Sequence, residues 1–341
     1  MKKCIFLFLV LIIPFNVFAS STIVMDMNSD RILYDNNAHE KLLIASTTKI
    51  MTCLIVLENM DINKEIKVGE EVLSMYGTNI YIEVGEKLKV KDLLYGLMLR
   101  SGNDAAITLA VNTAGSEEKF VKLMNKKSKE IGMKDTVFNN PHGLDESTKN
   151  YSTAYDMALL SKYAYQNKLY RKIISTKKYI STSSLKTYSW YNRMSLINNY
   201  KYCLGGKNGY TPKAGKTLVS IAKKNNTTLT IVSLDDNDIY NHHQVLYDKY
   251  LNEYKTYTVI DKNNFSIDPT LIDNKVYLKK SFKYILNENE KNNINTIIKI
   301  TNTNKSKVIG KMIITLNNKK IGELKIYKKR GWKPLEKLMI W

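Results

Sequence analysis

The sequence predicts an α/β (α+β) domain followed by a smaller all-β domain. Three observations predict it. Between residues 45 and 165, apolar residues recur at helical spacing in successive segments separated by polar turns. Two apolar runs, residues 217–222 and 229–234, read as adjacent central strands, with a further helical segment over 239–254. Beyond about Tyr257 the helical spacing ends, and short strand-like runs alternate with Asn, Asp and Gly turns.

Residues 1–19 stand apart from the fold. Lys2 and Lys3 precede an apolar run from Ile5 to Phe18, and Val17 and Ala19 put small residues ahead of Ser20. This reads as a secretory signal peptide, too short for a comfortable membrane span. Cys4 lies far from the cleavage point, which argues against a lipoprotein. Of 341 residues, 322 remain after cleavage, enough for two domains. The mature protein is expected to be exported and extracytoplasmic, in the cell envelope, either soluble or peripheral on the outer face of the membrane. Cys53 sits in an apolar helical segment and reads as a core residue, and Cys203 lies near a glycine-rich stretch. Two cysteines make no disulfide framework, and neither has a histidine nearby in sequence.

Lysine and arginine number 52 against 32 aspartates and glutamates, a net charge of +20. Outside the cell, such a charge favours an anionic membrane surface or an anionic wall polymer. Part of it reflects a composition rich in Lys, Asn, Ile and Tyr. The signal peptide and the lack of any basic-aromatic cluster argue against nucleic acid.

The elements follow in order. Residues 21–35 read as a hairpin turning at Asn28-Ser29-Asp30. Residues 45–60 form a buried helix. Residues 66–88 read as short strands and turns punctuated by Gly69, Gly77 and Gly85. A helix over 90–99 enters the polar turn Ser101-Gly102-Asn103-Asp104, and another helix covers 105–113. Ser116 caps a third, with Phe120, Leu123, Met124 and Ile131 on one face and Gly132 past its end. Residues 139–145 are a loop, and 153–165 a helix capped by Ser152 or Thr153. The aromatic stretch 178–200 reads as strand. Residues 205–209 read as a glycine-rich turn, and His242-His243 as a pair on a helix surface. The expected boundaries are 20–257 for the first domain and 258–330 for the β domain. Residues 331–341, with Trp332 and Trp341 among lysines, fit either an interfacial tail or a last element packed on the β domain.

The stretch Leu43-Ile44-Ala45-Ser46-Thr47-Thr48-Lys49 organises the chain. Ser46 falls at the first turn of a buried helix, and Lys49 lies one turn later on the same face. A helix start offers unpaired N–H groups and a dipole that favours negative charge. A serine hydroxyl is a weak nucleophile without an adjacent base. A lysine serves as that base only when burial or a cationic neighbour lowers its pKa. Alone, this S-x-x-K pattern more often marks a helix cap and a solvated lysine. Here it is followed by Ser101-Gly102-Asn103, an S-x-N turn, and by Lys207-Asn208-Gly209 opening a strand. Three such motifs in this order are far more specific than one.

With these motifs, residues 140–145 (Asn-Pro-His-Gly-Leu-Asp), 151–158 and Gly209-Tyr210-Thr211-Pro212 resemble the D-alanyl-D-alanine carboxypeptidase family of low-molecular-mass penicillin-binding proteins. The resemblance covers roughly 21–255 and extends more weakly to the β domain. It implies a penicillin-binding/β-lactamase-like transpeptidase fold, with peptidoglycan stem peptides and β-lactam antibiotics as ligands. By resemblance, Ser46 is the nucleophile, Lys49 its base, Ser101 a proton relay and Asn103 a holder of Lys49 or of substrate. Lys207, Asn208, Gly209, Tyr210, Thr211 and Arg193 would bind substrate. Lys207 and Arg193 would face the terminal carboxylate, and the amides of Ser46 and Tyr210 would form the oxyanion hole. No cofactor or metal is implied, and His39, His142, His242 and His243 show no ligand spacing.

One departure stands out. The family's third motif is usually Lys-Thr-Gly, and Asn208 takes the threonine's place, with Thr211 a candidate to compensate. Two other functions share these motifs. A serine β-lactamase would add a glutamate that activates water for deacylation, and no Glu-x-x-Leu-Asn pattern lies between Ser101 and Lys207. A non-catalytic penicillin-binding or wall-binding protein would have lost turnover.

Overall fold

A computed structural model describes residues 21–267, 276–301 and 307–329. The proposed signal peptide and the 331–341 tail lie outside these residues. The chain opens with β1 (Ser21–Asp26), β2 (Ile32–Asn36) and β3 (Leu42–Leu43), then a 3₁₀ turn over Ala45–Thr48 running into α1 (Lys49–Asn59). Next come β4 (Glu65–Lys67), β5 (Lys87–Lys89), α2 (Val90–Tyr95) with a π turn over Gly96–Arg100, α3 (Asn103–Ala114) and α4 (Glu117–Ile131). The strand β6 (Tyr151–Ser152) precedes α5 (Ala154–Tyr165), α6 (Lys168–Ile174), β7 (Lys178–Thr182), β8 (Thr187–Tyr191) and α7 (Leu196–Asn199). Three long strands, β9 (Cys203–Thr211), β10 (Gly215–Lys224) and β11 (Thr227–Leu234), lead to α8 (Ile239–Glu253). The rest is β12 (Lys255–Ile260), β13 (Val276–Leu278), β14 (Phe282–Leu286), β15 (Ile294–Ile300), β16 (Val308–Leu316) and β17 (Lys319–Lys328).

The central sheet has the order β2-β1-β11-β10-β9, so the two apolar runs do lie side by side at its centre. Period-2 alternation sends successive side chains to opposite faces. Ile23, Met25, Val219, Ile221 and Val232 face one core with α1, α3 and α5, while Val24, Leu218, Leu229 and Ile231 face another with α8. Helix α1 is apolar nearly all round, and its residues Lys49 to Val56 are all buried. It is therefore the middle of the core and not a surface helix.

The helix ends follow the sequence signals. Ser116 Oγ accepts from the Lys119 amide, and Gly132 closes α4 at φ +92°. Thr153, one of the two candidates, caps α5 by accepting from the Asp156 amide. After α8 the sheets β12-β14 and β13-β17-β16-β15 form the β region. Strand β12 spans the expected boundary at position 258. Arg31, in the β1–β2 turn, bonds both oxygens of Glu290 and the carbonyl of Ile285. That bidentate, half-buried pair ties the first hairpin to the β region. No described helix is long and apolar enough to cross a membrane.

Four local readings change. Residues 205–209 are not a turn but part of edge strand β9. Their glycines allow close approach: a Cβ on Gly206 would sit 2.1 Å from the Val219 carbonyl oxygen, and one on Gly205 would sit 2.4 Å from that of Ile174. The stretch 178–200 is strand only to Tyr191, after which Leu196–Asn199 form a helical turn. Helix α6 was not anticipated, although Asn167 caps it through the amides of Leu169 and Tyr170. His243 is fully buried, bonded to Ser220 and Ser233, while His242 meets Asp236 at the surface. The pair straddles the boundary of α8 because adjacent helical residues point about 100° apart.

Candidate active site

The 3₁₀ turn before α1 is built to present one hydroxyl. Ala45, Thr47 and Thr48 are buried and only Ser46 is half exposed. The Thr47 hydroxyl donates to the Ile44 carbonyl at 2.5 Å, and Thr217 of β10 donates to the same oxygen at 3.2 Å. Asn150 Nδ2 donates to Thr48 Oγ1 at 3.0 Å, and Thr52 donates to the Pro141 carbonyl at 2.6 Å. Ala45 adopts φ +45°, a conformation that costs on the order of 1–3 kcal/mol outside glycine and is held here by its surroundings. Gly143 (φ +90°) lies against this turn, and a Cβ there would sit 2.0 Å from the Ala45 carbonyl oxygen.

Lys49 is completely buried. Its Nζ is 3.0 Å from Ser46 Oγ, 2.7 Å from Asn103 Oδ1 and 2.5 Å from the His142 carbonyl oxygen. Asn103 is the first residue of α3, not part of the preceding turn, and its Nδ2 donates to the Tyr76 carbonyl at 2.7 Å. A neutral amine has two N–H donors and one lone pair. The Asn103 and His142 oxygens take both donors, which leaves the lone pair directed at the Ser46 hydroxyl. Burial, and secondarily the charge of Lys207, push the Lys49 pKa far below its usual value.

Lys207 comes from β9, and its partner across the ladder, Val219, faces the α1 side of the sheet. Opposed residues share a face, so Lys207 points to the same side as Ser46. It is buried, donates to the Asn208 carbonyl at 2.6 Å, and has its pKa lowered to about 7 by burial and by the charge of Arg193. Gly209 is on this face too: a Cβ there would lie 2.7 Å from both the Ser46 amide nitrogen and Thr217 Oγ1. Asn208 pairs with Leu218, which faces α8, so its side chain leaves the sheet on the opposite face from Lys207. Tyr210 follows it there and is 64 % exposed. The Thr211 hydroxyl donates to Asp145 Oδ2 at 2.5 Å and accepts from the Ala214 amide, so it is already engaged.

Ser101 is a buried residue at φ +66°, closing the π turn. Arg193 is exposed: its amide donates to the Leu99 carbonyl and its guanidinium reaches Thr78 Oγ1 at 3.3 Å. Hydrogen bonds thus join Ser46, Lys49 and Asn103, Gly209 packs against the Ser46 amide, and Lys207 lies close enough for its charge to bear on Lys49. The charge of Arg193 bears in turn on Lys207, so the positive charge beside Ser46 comes from Lys207 and Arg193.

Two structural contributors were not foreseen. The His142 carbonyl is the third partner of Lys49, and a loop with one proline and one glycine gave no hint that a backbone oxygen would be used. Asp104 accepts from the amides of Ile80, Tyr81 and Ile82, which fixes the 76–82 loop against Asn103. Its place inside the polar turn was visible, but its partners more than twenty residues upstream were not.

A family model described as D-alanyl-D-alanine carboxypeptidase (Peptidase_S11) matches residues 12–238. The D-alanyl-D-alanine carboxypeptidase DacF of Bacillus subtilis is 40 % identical over 214 residues, 61 % of this chain and 55 % of that protein. DacC of Escherichia coli is 34 % identical over 230 residues, 64 % of this chain and 57 % of its own length. The matched segment therefore spans little more than half of these curated relatives. The crystal structure of penicillin binding protein 5 from Haemophilus influenzae superposes with a TM-score of 0.76 at 25 % identity, covering 91 % of this chain and 96 % of that one. That coverage takes in the β region and agrees with the α/β-plus-β fold class read from the sequence. On the three motifs and these matches, the chain belongs to the D-alanyl-D-alanine carboxypeptidase family.

Proposed function

We propose that the protein is a serine-type D-alanyl-D-alanine carboxypeptidase of peptidoglycan biosynthesis, and that penicillins acylate it. One observation carries the reading: a fully buried lysine amine lies 3.0 Å from the Ser46 hydroxyl, with its other polar partners both acceptors. Ser46 Oγ attacks the carbonyl between the two terminal D-alanines of a stem peptide while Lys49 takes its proton. The oxyanion is held by the Ser46 and Tyr210 amides, and the terminal carboxylate by Lys207 and Arg193. Ser101 passes a proton from Lys49 to the leaving amine, D-alanine departs, and water cleaves the acyl-enzyme. Asn208 and Thr211 shape the wall of β9, with Asn208 in place of the family's threonine.

The remainder of the reading concerns place. The chain is exported by residues 1–19 and works outside the cytoplasm. Residues 20–257 hold all three motifs, and 258–330 act as a pedestal. The basic surface, together with the 331–341 tail, favours anionic membrane or wall polymer.

The test is incubation with a labelled penicillin and mapping of the adduct. A stable adduct on Ser46 is expected. Rapid hydrolysis of the drug would mean a β-lactamase, and no adduct would mean a non-catalytic binding protein.

The pKa directions give a second expectation. Lys49 must be neutral to accept a proton, so activity rises as pH climbs through its depressed pKa. Lys207 must be charged to attract a carboxylate, and its pKa of about 7 means that substrate capture declines above neutrality. A bound carboxylate raises that pKa again. Hence kcat/KM should fall above about pH 7 while kcat holds to higher pH, since the two report the free and the bound enzyme. Parallel alkaline limbs in D-alanine release would refute the role given to Lys207.

A further inference from the structure

The β region carries a line of lysines that the carboxypeptidase reading does not use. In its four-stranded sheet, Lys299 of β15 pairs with Lys311 of β16, and Lys311 pairs with Lys325 of β17. On the other side of β17, Leu278 pairs with Ile326, so Lys279, one residue past β13, comes opposite Lys325. Opposed residues share a face. The neighbours Leu278, Met312, Leu324 and Ile326 are buried in the core of the β region, so the four lysines fall on the outer face, and all four are exposed. Ladder spacing sets them about 4.8 Å apart, in a line of roughly 14 Å across all four strands.

Like charges directly opposite one another destabilise a sheet, so this line is unfavourable as it stands. Glu323 bonds Lys311 at 3.2 Å and Lys320 at 2.8 Å. Lys279, Lys299 and Lys325 have no ion pair among the described residues, and Lys279 places its ammonium 4.5 Å from the centre of the Tyr327 ring. A groove of about 320 Å³, lined in part by Lys279, Lys280, Lys325 and Tyr327, opens at that end of the line. The positive charge is one residue wide. The next outer-face row on one side is Ile297, Ile313 and Glu323, and on the other it is Tyr327 and Tyr277. A planar anionic surface would meet these apolar and acidic flanks together with the lysines. A chain of anionic groups laid across the strands meets the lysines alone. Lysine ammoniums are point charges without arginine's fork, which suits recognition by charge spacing and not by the shape of one group.

We propose that this outer face binds a linear polyanionic polymer, laid across the strands with its acidic groups on Lys299, Lys311, Lys325 and Lys279. The site goes beyond the carboxypeptidase reading, needs no chemistry at Ser46, and gives the β region a binding role of its own.

The experiment measures binding of the full chain to long-chain inorganic polyphosphate by calorimetry across a salt series. Each lysine that meets the polymer releases counterions, so four contacts give log K against log salt a slope of about −3, at about −0.7 per contact. The double variant Lys299→Gln with Lys325→Gln should flatten that slope by about 1.4 and weaken binding at least about tenfold at about 0.1 M salt. Lys168→Gln with Lys172→Gln, on α6, removes the same charge and should leave both unchanged. The first pair also relieves like-charge contacts, so its thermal midpoint at low salt should equal or exceed that of the parent. A lower midpoint would refute the unfavourable line. Equal polymer binding by the parent and the Lys299→Gln, Lys325→Gln protein, or an equal loss in the α6 pair, would overturn the site. So would binding to vesicles of anionic lipid that depends on Lys299 and Lys325 while polyphosphate does not bind, because the face would then be a membrane contact. Penicillin acylation of Ser46 is read on the same proteins. If it fails while polyphosphate binding depends on the lysines, the carboxypeptidase reading falls and this site stands.

Discussion

Lys49→Arg is expected to lower the rate of acylation by penicillin, and of D-alanine release, at least about a thousandfold, or roughly 4 kcal/mol in barrier. The reason lies in proton affinity and not in charge. The amine of Lys49 is buried, and its burial together with the positive charge of Lys207 outweighs the nearby Asp104 carboxylate, so the neutral form is favoured. A guanidinium has donors only and keeps its proton at any working pH. It can satisfy Asn103 Oδ1 and the His142 carbonyl, but it presents no lone pair to Ser46. Arginine is also larger than the space lysine fills, so Lys49→Met serves as the companion variant. Methionine keeps the approximate volume and removes both base and charge. It leaves two buried acceptors without a donor, at about 1–3 kcal/mol each, offset by the amine no longer needing to be desolvated. Both variants should retain a cooperative thermal transition and both should fail to acylate. An arginine variant that acylates within about tenfold of the parent, about 1.4 kcal/mol, would show that Lys49 is not the base.

Gly143→Ala should cost about 3 kcal/mol of stability and at least about a hundredfold in acylation, although residue 143 bears no side chain to do chemistry. Two effects add. At φ +90° an alanine is strained in its own backbone. Its Cβ would also lie 2.0 Å from the Ala45 carbonyl oxygen and 2.9 Å from the Ser46 amide nitrogen, both backbone atoms with no rotamer to escape into. Either the 139–145 loop or the 3₁₀ turn must move. The first carries the His142 carbonyl away from Lys49, and the second shifts Ser46 itself. Gly115→Ala provides the comparison, because Gly115 has φ +83° but open space around its Cβ position. It should lose about 1 kcal/mol from backbone strain alone and keep its acylation rate. Thermal melts and penicillin acylation of the two variants separate strain from displacement. If Gly143→Ala acylates as fast as Gly115→Ala, the contact between the loop and the nucleophile turn does not position Ser46.

Much of this architecture is written in local patterns. Ser46 and Lys49 are three residues apart at a helix start, so backbone geometry alone brings their side chains within hydrogen-bond distance. Ser116 and Gly132 bracket α4 through caps that need only a few neighbouring residues. The alternation in 217–222 and 229–234 predicts two faces, and the ladder between β10 and β11 uses both. The glycine-rich run 205–209 shows where local reading fails. Glycines mark turns and close approaches alike, and only the neighbouring carbonyls of Ile174 and Val219 reveal which is at work here.

The sequence by itself therefore determined the fold class, most of the long helices and the two central strands, the three motifs and the family they indicate. Tertiary structure decided the chemistry of the site. The proton affinity of Lys49 depends on complete burial and on Lys207 arriving from an edge strand far along the chain. Its third partner is a backbone oxygen of His142, invisible to any pattern of side chains. The face on which Asn208 emerges depends on which residue it meets across the ladder, and that residue is Leu218. Spacing along one element is a property of the chain, since helix and strand periods are the same in every protein. Desolvation, ladder register and carbonyl placement arise only when distant segments exclude water together, so they have no local signature to read.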